Sequence, residues 1–262
     1  MSNKQKVNTV AVLICCFLLQ AFLPMAKVKP VLYIIGDSTV KNGDGSGKNG
    51  QMGWGTLIGS FFDTSRIQIQ NHAIGGRSSR TFITEGRWDR ILQTLKPGDY
   101  VIMQFGHNDA GPLDDTARAR GTIRGIGTEE KQIYNPIRKV DEVVHTYGWY
   151  MRKYVQDAKV KGAIAIICSP VPRNNWKEGK IARGNKDYGL WAKEVAEQEK
   201  AYFIDLNEIV ALEYEKMDTA SVNKLFFGDH THTSRAGAEI NAAKVVEGLK
   251  ELKKVKIKKY LK

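Results

Sequence analysis

Short apolar runs alternate with longer segments of helical character along this chain. VLYII (31–35), IQIQNHAI (67–74), YVIMQF (100–105), AIAIIC (163–168) and YFID (202–205) have the length and composition of buried strands. Between and after them, the spacing of apolar positions predicts helices over 53–62, 84–95, 140–161, 186–199, 207–217 and 234–253. Five strand–helix alternations predict an α/β fold, a single three-layer α/β/α domain with a five-stranded parallel sheet covered on both faces. No repeat or linker interrupts the pattern, so the domain is expected to run from residue 28 to 262. In such sheets ligands collect beyond the carboxyl ends of the strands, where strand order reverses. The loops after the first three strands read GDST (36–39), GGRSSR (75–80) and GHND (106–109).

Residues 1–26 stand outside this pattern. Lys4 and Lys6 precede an apolar stretch, VAVLICCFLLQAFL, and Met25-Ala26 ends it with a small residue. That layout is expected of a secretory signal peptide, and the run is short for a membrane span. The protein is therefore expected to be secreted or periplasmic, without stable membrane association after cleavage, and a monomer. Cleavage would leave one cysteine, Cys168, at the end of an apolar strand, where it reads as a small core residue.

The formal charge of +12 is compatible with attraction to a polyanion but does not by itself select a partner. Part of the excess lies in the final ELKKVKIKKYLK, which also fits a solvated helix end. Nucleic acid suits an exported protein poorly; an acidic polysaccharide suits it better.

Ser38 directly follows the first strand. A serine hydroxyl is a weak nucleophile until a base takes its proton. FGDHTHTSRAGAE (227–239) offers His230 and His232, and only His232 has an acid, Asp229, three residues before it in a turn entering a helix. That spacing lets one segment supply both the imidazole and the carboxylate that orients it. Acyl transfer also builds an oxyanion that needs preorganised donors. The Ser38 amide, the Gly75 and Gly76 amides and the Asn108 side-chain amide are the candidates. His230 and His232 could instead be metal ligands, but no third ligand is placed by the sequence, so neither metal nor organic cofactor is expected.

These blocks resemble the SGNH, or GDSL-like, hydrolases. GDST, the glycine of GGRSSR, GHND and DHTH occur in the same order, over about residues 31–250. Thr39 stands where the namesake pattern has leucine. NHAIGGRSSRTF, FGHNDAGP and GDHTHTSRAGA resemble the rhamnogalacturonan acetylesterase branch, carbohydrate esterase family 12. The resemblance implies a flavodoxin-like SGNH fold and an esterase that deacetylates a pectic polysaccharide through an acetyl-serine. It implies Ser38 as nucleophile, His232 as base, Asp229 as its acid, and Ser38, Gly76 and Asn108 as the oxyanion hole. Gly75 and Gly76 are adjacent, and the choice between them stays open. Another ester substrate (a lipid, a thioester or acetylated xylan) and a non-catalytic carbohydrate-binding protein are the alternatives.

Asp37 reads as a turn-bracing residue, and Asp205 as a cap for the helix after it. The long segment 109–139 carries Arg118, Arg120, Arg124 and Arg138. With Arg77 and Arg80 these could form a basic rim, since the guanidinium fork matches a carboxylate. The opposing reading pairs them with Asp114, Asp115, Glu129 and Glu130. His107 is a further candidate for substrate contact or loop bracing. Trp176 and Trp191 read as sugar platforms or as core.

Overall fold

The computed structural model describes residues 28–262; the expected signal segment, 1–26, lies outside the described residues. Val31–Gly36 forms β1, Gln68–Asn71 β2, Tyr100–Gln104 β3, Ile164–Cys168 β6 and Tyr202–Ile204 β9. These five pair in parallel in the order β2-β1-β3-β6-β9. Leu32 lies opposite Tyr100 and Gly36 opposite Gln104. The chain thus builds outward from β1 to β2, then crosses to β3 on the other side. This is the flavodoxin-like order, whose crevice opens between the first and third sheet strands.

Both faces of the sheet are buried, which accounts for the near-continuous apolar runs. On β1, Leu32 and Ile34 enter one core, with Trp54, Phe62, Val210 and Leu249. Tyr33 and Ile35 enter the other, with Phe82, Trp88, Met151 and Tyr154. Each fully buried aliphatic side chain contributes about 1.5–3 kcal/mol. The second core is covered by α1 (Ser79–Thr84), α2 (Arg87–Leu92), α3 (Tyr147–Val160) and α4 (Tyr188–Gln198). The first is covered by α5 (Leu206–Tyr214), α7 (Arg235–Glu251) and the segment 54–61. Between these elements lie a short α6 (Thr219–Asn223) and a small hairpin of two-residue strands, β7 (Trp176–Lys177) with β8 (Lys180–Ile181). Cys168 is fully buried, and burial pushes its thiol well up.

Three helix boundaries differ from the sequence reading. Residues 140–145 are not helical: Val140–His145 is β5, paired antiparallel with β4 (Glu130–Asn135). The Thr146 hydroxyl accepts the Trp149 amide and starts α3 there. Pairing with Glu130–Asn135 makes 140–145 a strand, and the Thr146 cap marks where the helix can begin. Segment 53–62 forms two short 3-10 turns rather than one helix. The Trp54 and Gly55 amides bond the Thr39 and Val40 carbonyls, and a Cβ on Gly53 would lie 2.3 Å from the Val40 carbonyl carbon. The expected helix 84–95 is divided between α1 and α2 at Gly86, whose φ of 65° is left-handed.

Candidate active site

β1 ends where Gly36 must be glycine. A Cβ there would lie 2.5 Å from Val40 Cγ2 and 2.6 Å from the Gln104 carbonyl oxygen. The turn that follows is tied through Asp37, which is fully buried. Its Oδ1 accepts the Thr39 amide at 2.9 Å and the Thr39 hydroxyl at 2.7 Å. Gln104 Nε2 donates to Thr39 Oγ1 at 2.6 Å, and Trp54 Nε1 donates to Gln104 Oε1 at 2.9 Å. Asp37 therefore braces the Ser38 turn from within the core, and Thr39 is a link in that brace.

Ser38 Oγ lies 2.8 Å from His232 Nε2, across 194 residues of chain. His232 Nδ1 lies 2.6 Å from Asp229 Oδ2. Asp229 Oδ1 accepts the Thr231 and His232 backbone amides, each at 2.7 Å. Partial burial pushes the Asp229 carboxyl up. Hydrogen bonds from the His232 ring and from the two amides outweigh it and hold the carboxyl below its ordinary value. The loop is closed by Phe227 N–H to the His232 carbonyl and Ser234 N–H to the Leu225 carbonyl. It is moored to the segment before Trp54 by Met52 N–H to the Thr233 carbonyl and Thr233 Oγ1 to the Met52 carbonyl. His230 is exposed, and its carbonyl accepts the Asn174 amide. Among the described residues, no group of three or more His, Cys, Asp or Glu stands close enough to hold a metal ion.

The second loop turns at Ile74–Arg77, with Arg77 N–H reaching the Ile74 carbonyl at 3.4 Å. Gly76 has φ of 77°, the left-handed value that the third position of a type II turn requires. Gly75 packs against Ser38: a Cβ on it would meet Ser38 Cβ at 3.5 Å, an ordinary contact. The third loop is locked to the second. Asn108 Nδ2 donates to the Arg77 carbonyl at 2.9 Å, leaving its other N–H for the cleft. Asp109 Oδ1 accepts the Ser79 amide at 3.1 Å and the Ser79 hydroxyl at 2.5 Å. Ser38, Gly75, Gly76, Asn108 and His232 all line one cleft of about 380 Å³.

The arginines divide. Arg118 and Arg120 line this cleft, and so does Arg173, which follows β6 and which the sequence reading did not single out. Its only sequence signal is its place beyond a strand end, in SPVPRNNW. Arg120 Nη1 donates to the Gly76 carbonyl at 3.1 Å. Burial, and then the charge of Arg118, hold its guanidinium below its ordinary value. Arg80 is a correction. It is fully buried, with Nε 2.7 Å from Glu142 Oε1 and Nη1 donating to the Leu113 and Gly121 carbonyls. It clamps segment 109–121 onto α1 and reaches no substrate. Arg77 is also corrected: its Nε is paired with Glu85 at 3.1 Å and Nη1 with the Gly75 carbonyl, and it does not line the cleft. Nor do the loop arginines pair as the opposing reading had it. Arg138 meets Glu142 at 3.6 Å, and among the described residues none pairs with the side chains of Asp114, Asp115, Glu129 or Glu130. Asp115 instead accepts backbone amides at Ala117, Arg118 and Ala119. Trp176 is half-buried against the first core, and Trp191 lies beneath Arg124. Asp205 caps α5, as its sequence position suggested.

His107 lines the cleft and is held below its ordinary value by burial, with Arg173 and His232 adding to the shift and Asp37 opposing it. Asp109 behaves oppositely: burial pushes its carboxyl up to about 7, against the Ser79 hydrogen bonds and with the help of Asp37.

Residues 34–240 match the GDSL-like Lipase/Acylhydrolase family. The chain belongs to that family. It is a carboxylic ester hydrolase, and the flavodoxin-like order of its sheet is that of the SGNH fold. It is 33% identical over 226 residues to a Bacillus subtilis (strain 168) protein named "Probable rhamnogalacturonan acetylesterase YesY", covering 84% of this chain and 93% of that one. It is 32% identical over 223 residues to the rhamnogalacturonan acetylesterase of Emericella nidulans, covering 85% of each. The crystal structure of Bacillus subtilis YxiM superimposes with a TM-score of 0.69 at 29% identity, over 85% of this chain and 56% of that longer one. Axe2, an acetylxylan esterase from Geobacillus stearothermophilus, shares the fold with a TM-score of 0.57 at 18% identity, over 85% of this chain and 96% of that one.

Proposed function

We propose that this protein removes acetyl groups from an acidic plant polysaccharide of the rhamnogalacturonan type. The observation that carries this reading is the company of the 2.8 Å Ser38–His232 contact: Arg118, Arg120 and Arg173 line the same cleft. Guanidinium groups recognise carboxylates in a bidentate manner, and a uronic-acid polymer supplies carboxylates beside its acetyl esters. A basic, glycine-lined mouth is a poor seat for an acyl chain, which disfavours a lipase. The rhamnogalacturonan acetylesterases among its relatives support the same substrate class.

In the proposed reaction His232 Nε2 takes the Ser38 hydroxyl proton as Oγ attacks the acetyl carbonyl. Asp229 Oδ2 holds the Nδ1 proton and stabilises the imidazolium that forms. The Ser38 and Gly76 amides and the free Asn108 N–H receive the oxyanion. His232 returns its proton to the sugar oxygen, which leaves, and acetyl-Ser38 remains. The same imidazole then takes a proton from water as its oxygen attacks the acyl carbon; the Ser38 Oγ–acyl bond breaks, His232 returns the proton to Oγ, and acetate leaves.

Residues 1–26 are proposed to export the protein and to be removed. Among the described residues no helix is long and apolar enough to cross a membrane.

Acetate release from acetylated rhamnogalacturonan, acetylated xylan and p-nitrophenyl acetate tests the reading, with wild type beside Ser38→Ala. Release from the pectic polymer that vanishes in Ser38→Ala is expected. Release from xylan and the small ester but not from the pectic polymer would overturn the substrate class and keep the chemistry.

A further inference from the structure

A second cavity, of about 280 Å³, adjoins the Ser38 cleft. His107 and Arg173 line both, so a chain leaving the cleft over these residues enters the second cavity directly. Arg124 lines its wall. Its guanidinium carbon lies over the Trp191 and Tyr188 rings, 5.3 and 5.9 Å from their centroids. A cation–π contact of this kind uses no N–H donor in a hydrogen bond. Among the described residues Arg124 has no carboxylate partner, whereas Arg183, on the same wall, is neutralised by Glu208 and Glu215.

We propose that this cavity is a subsite for a further uronate sugar of the polymer, beyond the acetylated one, its carboxylate recognised by Arg124 and Arg173. Asp187 also lines it and opposes a carboxylate at its own end. It therefore orients the sugar, accepting a hydroxyl there while the carboxylate turns toward the arginines. The inference rests on the acidic-polysaccharide reading above. It adds that the enzyme reads charge at a second uronate of the polymer and not only at the one it deacetylates.

Calorimetric titration with an acetyl-free acidic oligosaccharide from rhamnogalacturonan tests this, beside the same oligosaccharide with its carboxyls reduced to alcohols. The full-length protein and Arg124→Gln are compared, Arg124 lining only the second cavity. At least a tenfold rise in Kd is expected in Arg124→Gln for the acidic ligand. Little change is expected for the reduced ligand, which the wild type should already bind weakly. Arg124→Lys, which keeps charge but loses the fork, should fall between; thermal midpoints of both variants check that they fold. Equal affinity of wild type and Arg124→Gln for the acidic ligand, or no binding by the wild type, overturns the subsite. Deacetylation by wild type without Arg124-dependent binding overturns the subsite and leaves the function standing. Arg124-dependent binding without acetate release from the polymer does the reverse.

Discussion

Asp109 Oδ1 receives both the amide and the hydroxyl of Ser79, and through that pair of bonds the third active-site loop is fastened to the second. Asn108, one residue earlier, is fastened to the Arg77 carbonyl in the same way. A side-chain amide aimed at a developing charge is effective only if held in advance. In the proposed reaction the Asp109–Ser79 bonds would hold the Asn108 amide in this way, from a fully buried position.

The same burial gives a pH signature. The Asp109 carboxyl is raised to about 7 in the folded protein, above its ordinary value of 3.8. The folded state then binds the proton more tightly than the unfolded one, so stability falls as pH rises from about 4 to about 7 and levels off above. Asp109→Asn should flatten this decline, seen as a thermal midpoint that varies less between pH 5 and 7.5 than in wild type. A wild-type midpoint rising steadily over that range, unaltered in Asp109→Asn, would contradict the assignment.

Ser38 and His232 should behave as one unit. Either Ser38→Ala or His232→Ala is expected to lower kcat on p-nitrophenyl acetate by about 10⁴-fold or more, and the double variant to lose no more than the worse single one. Additive losses would mean that the two act in separate steps. Single-turnover kinetics of the four proteins distinguishes the cases.

Gly75 and Gly76 should differ sharply on substitution. Gly76 sits at φ of 77°, with only Arg120 Nη1, at 3.6 Å, near an added Cβ. Gly76→Ala therefore meets backbone strain of about 1–2 kcal/mol rather than a clash, and relieving it turns the Gly76 amide. Gly75→Ala makes an ordinary contact with Ser38 Cβ. A kcat loss of about tenfold or more is expected for Gly76→Ala, with Gly75→Ala closer to wild type. The opposite order would make Gly75 the better oxyanion donor.

Arg80→Met should unfold the protein more readily without a specific effect on substrate. It leaves Glu142, 8% exposed, without its 2.7 Å partner. Removing one member of a buried ion pair costs about 3–5 kcal/mol. Denaturant titration should show that loss, while KM on the polymer, measured where the variant is folded, stays near wild type. A raised KM with unchanged stability would return Arg80 to the substrate.

Much of the fold was legible because the sheet is buried on both faces. Five apolar runs could be read as strands, and the turn residues after three of them marked the crevice end. Ser38, Asn108, Asp229 and His232 stood out by chemistry and spacing alone. The boundary at Val140–His145 was not legible: Val143 and Val144 suit a helix or a strand, and only pairing with Glu130–Asn135 decides. The arginines show the limit most clearly. Arg77, Arg80, Arg118, Arg120, Arg124 and Arg173 look alike in a sequence, because charge is a property of the residue and burial is not. Tertiary structure turned Arg80 inward to Glu142, tied Arg77 to Glu85, and set Arg124 over Trp191. It left Arg118, Arg120 and Arg173 around Ser38. The sequence by itself determined which chemistry this chain carries, since reactive groups are named by their side chains. Where its charges face depended on packing between segments as distant as α1 and β5, which no local pattern records.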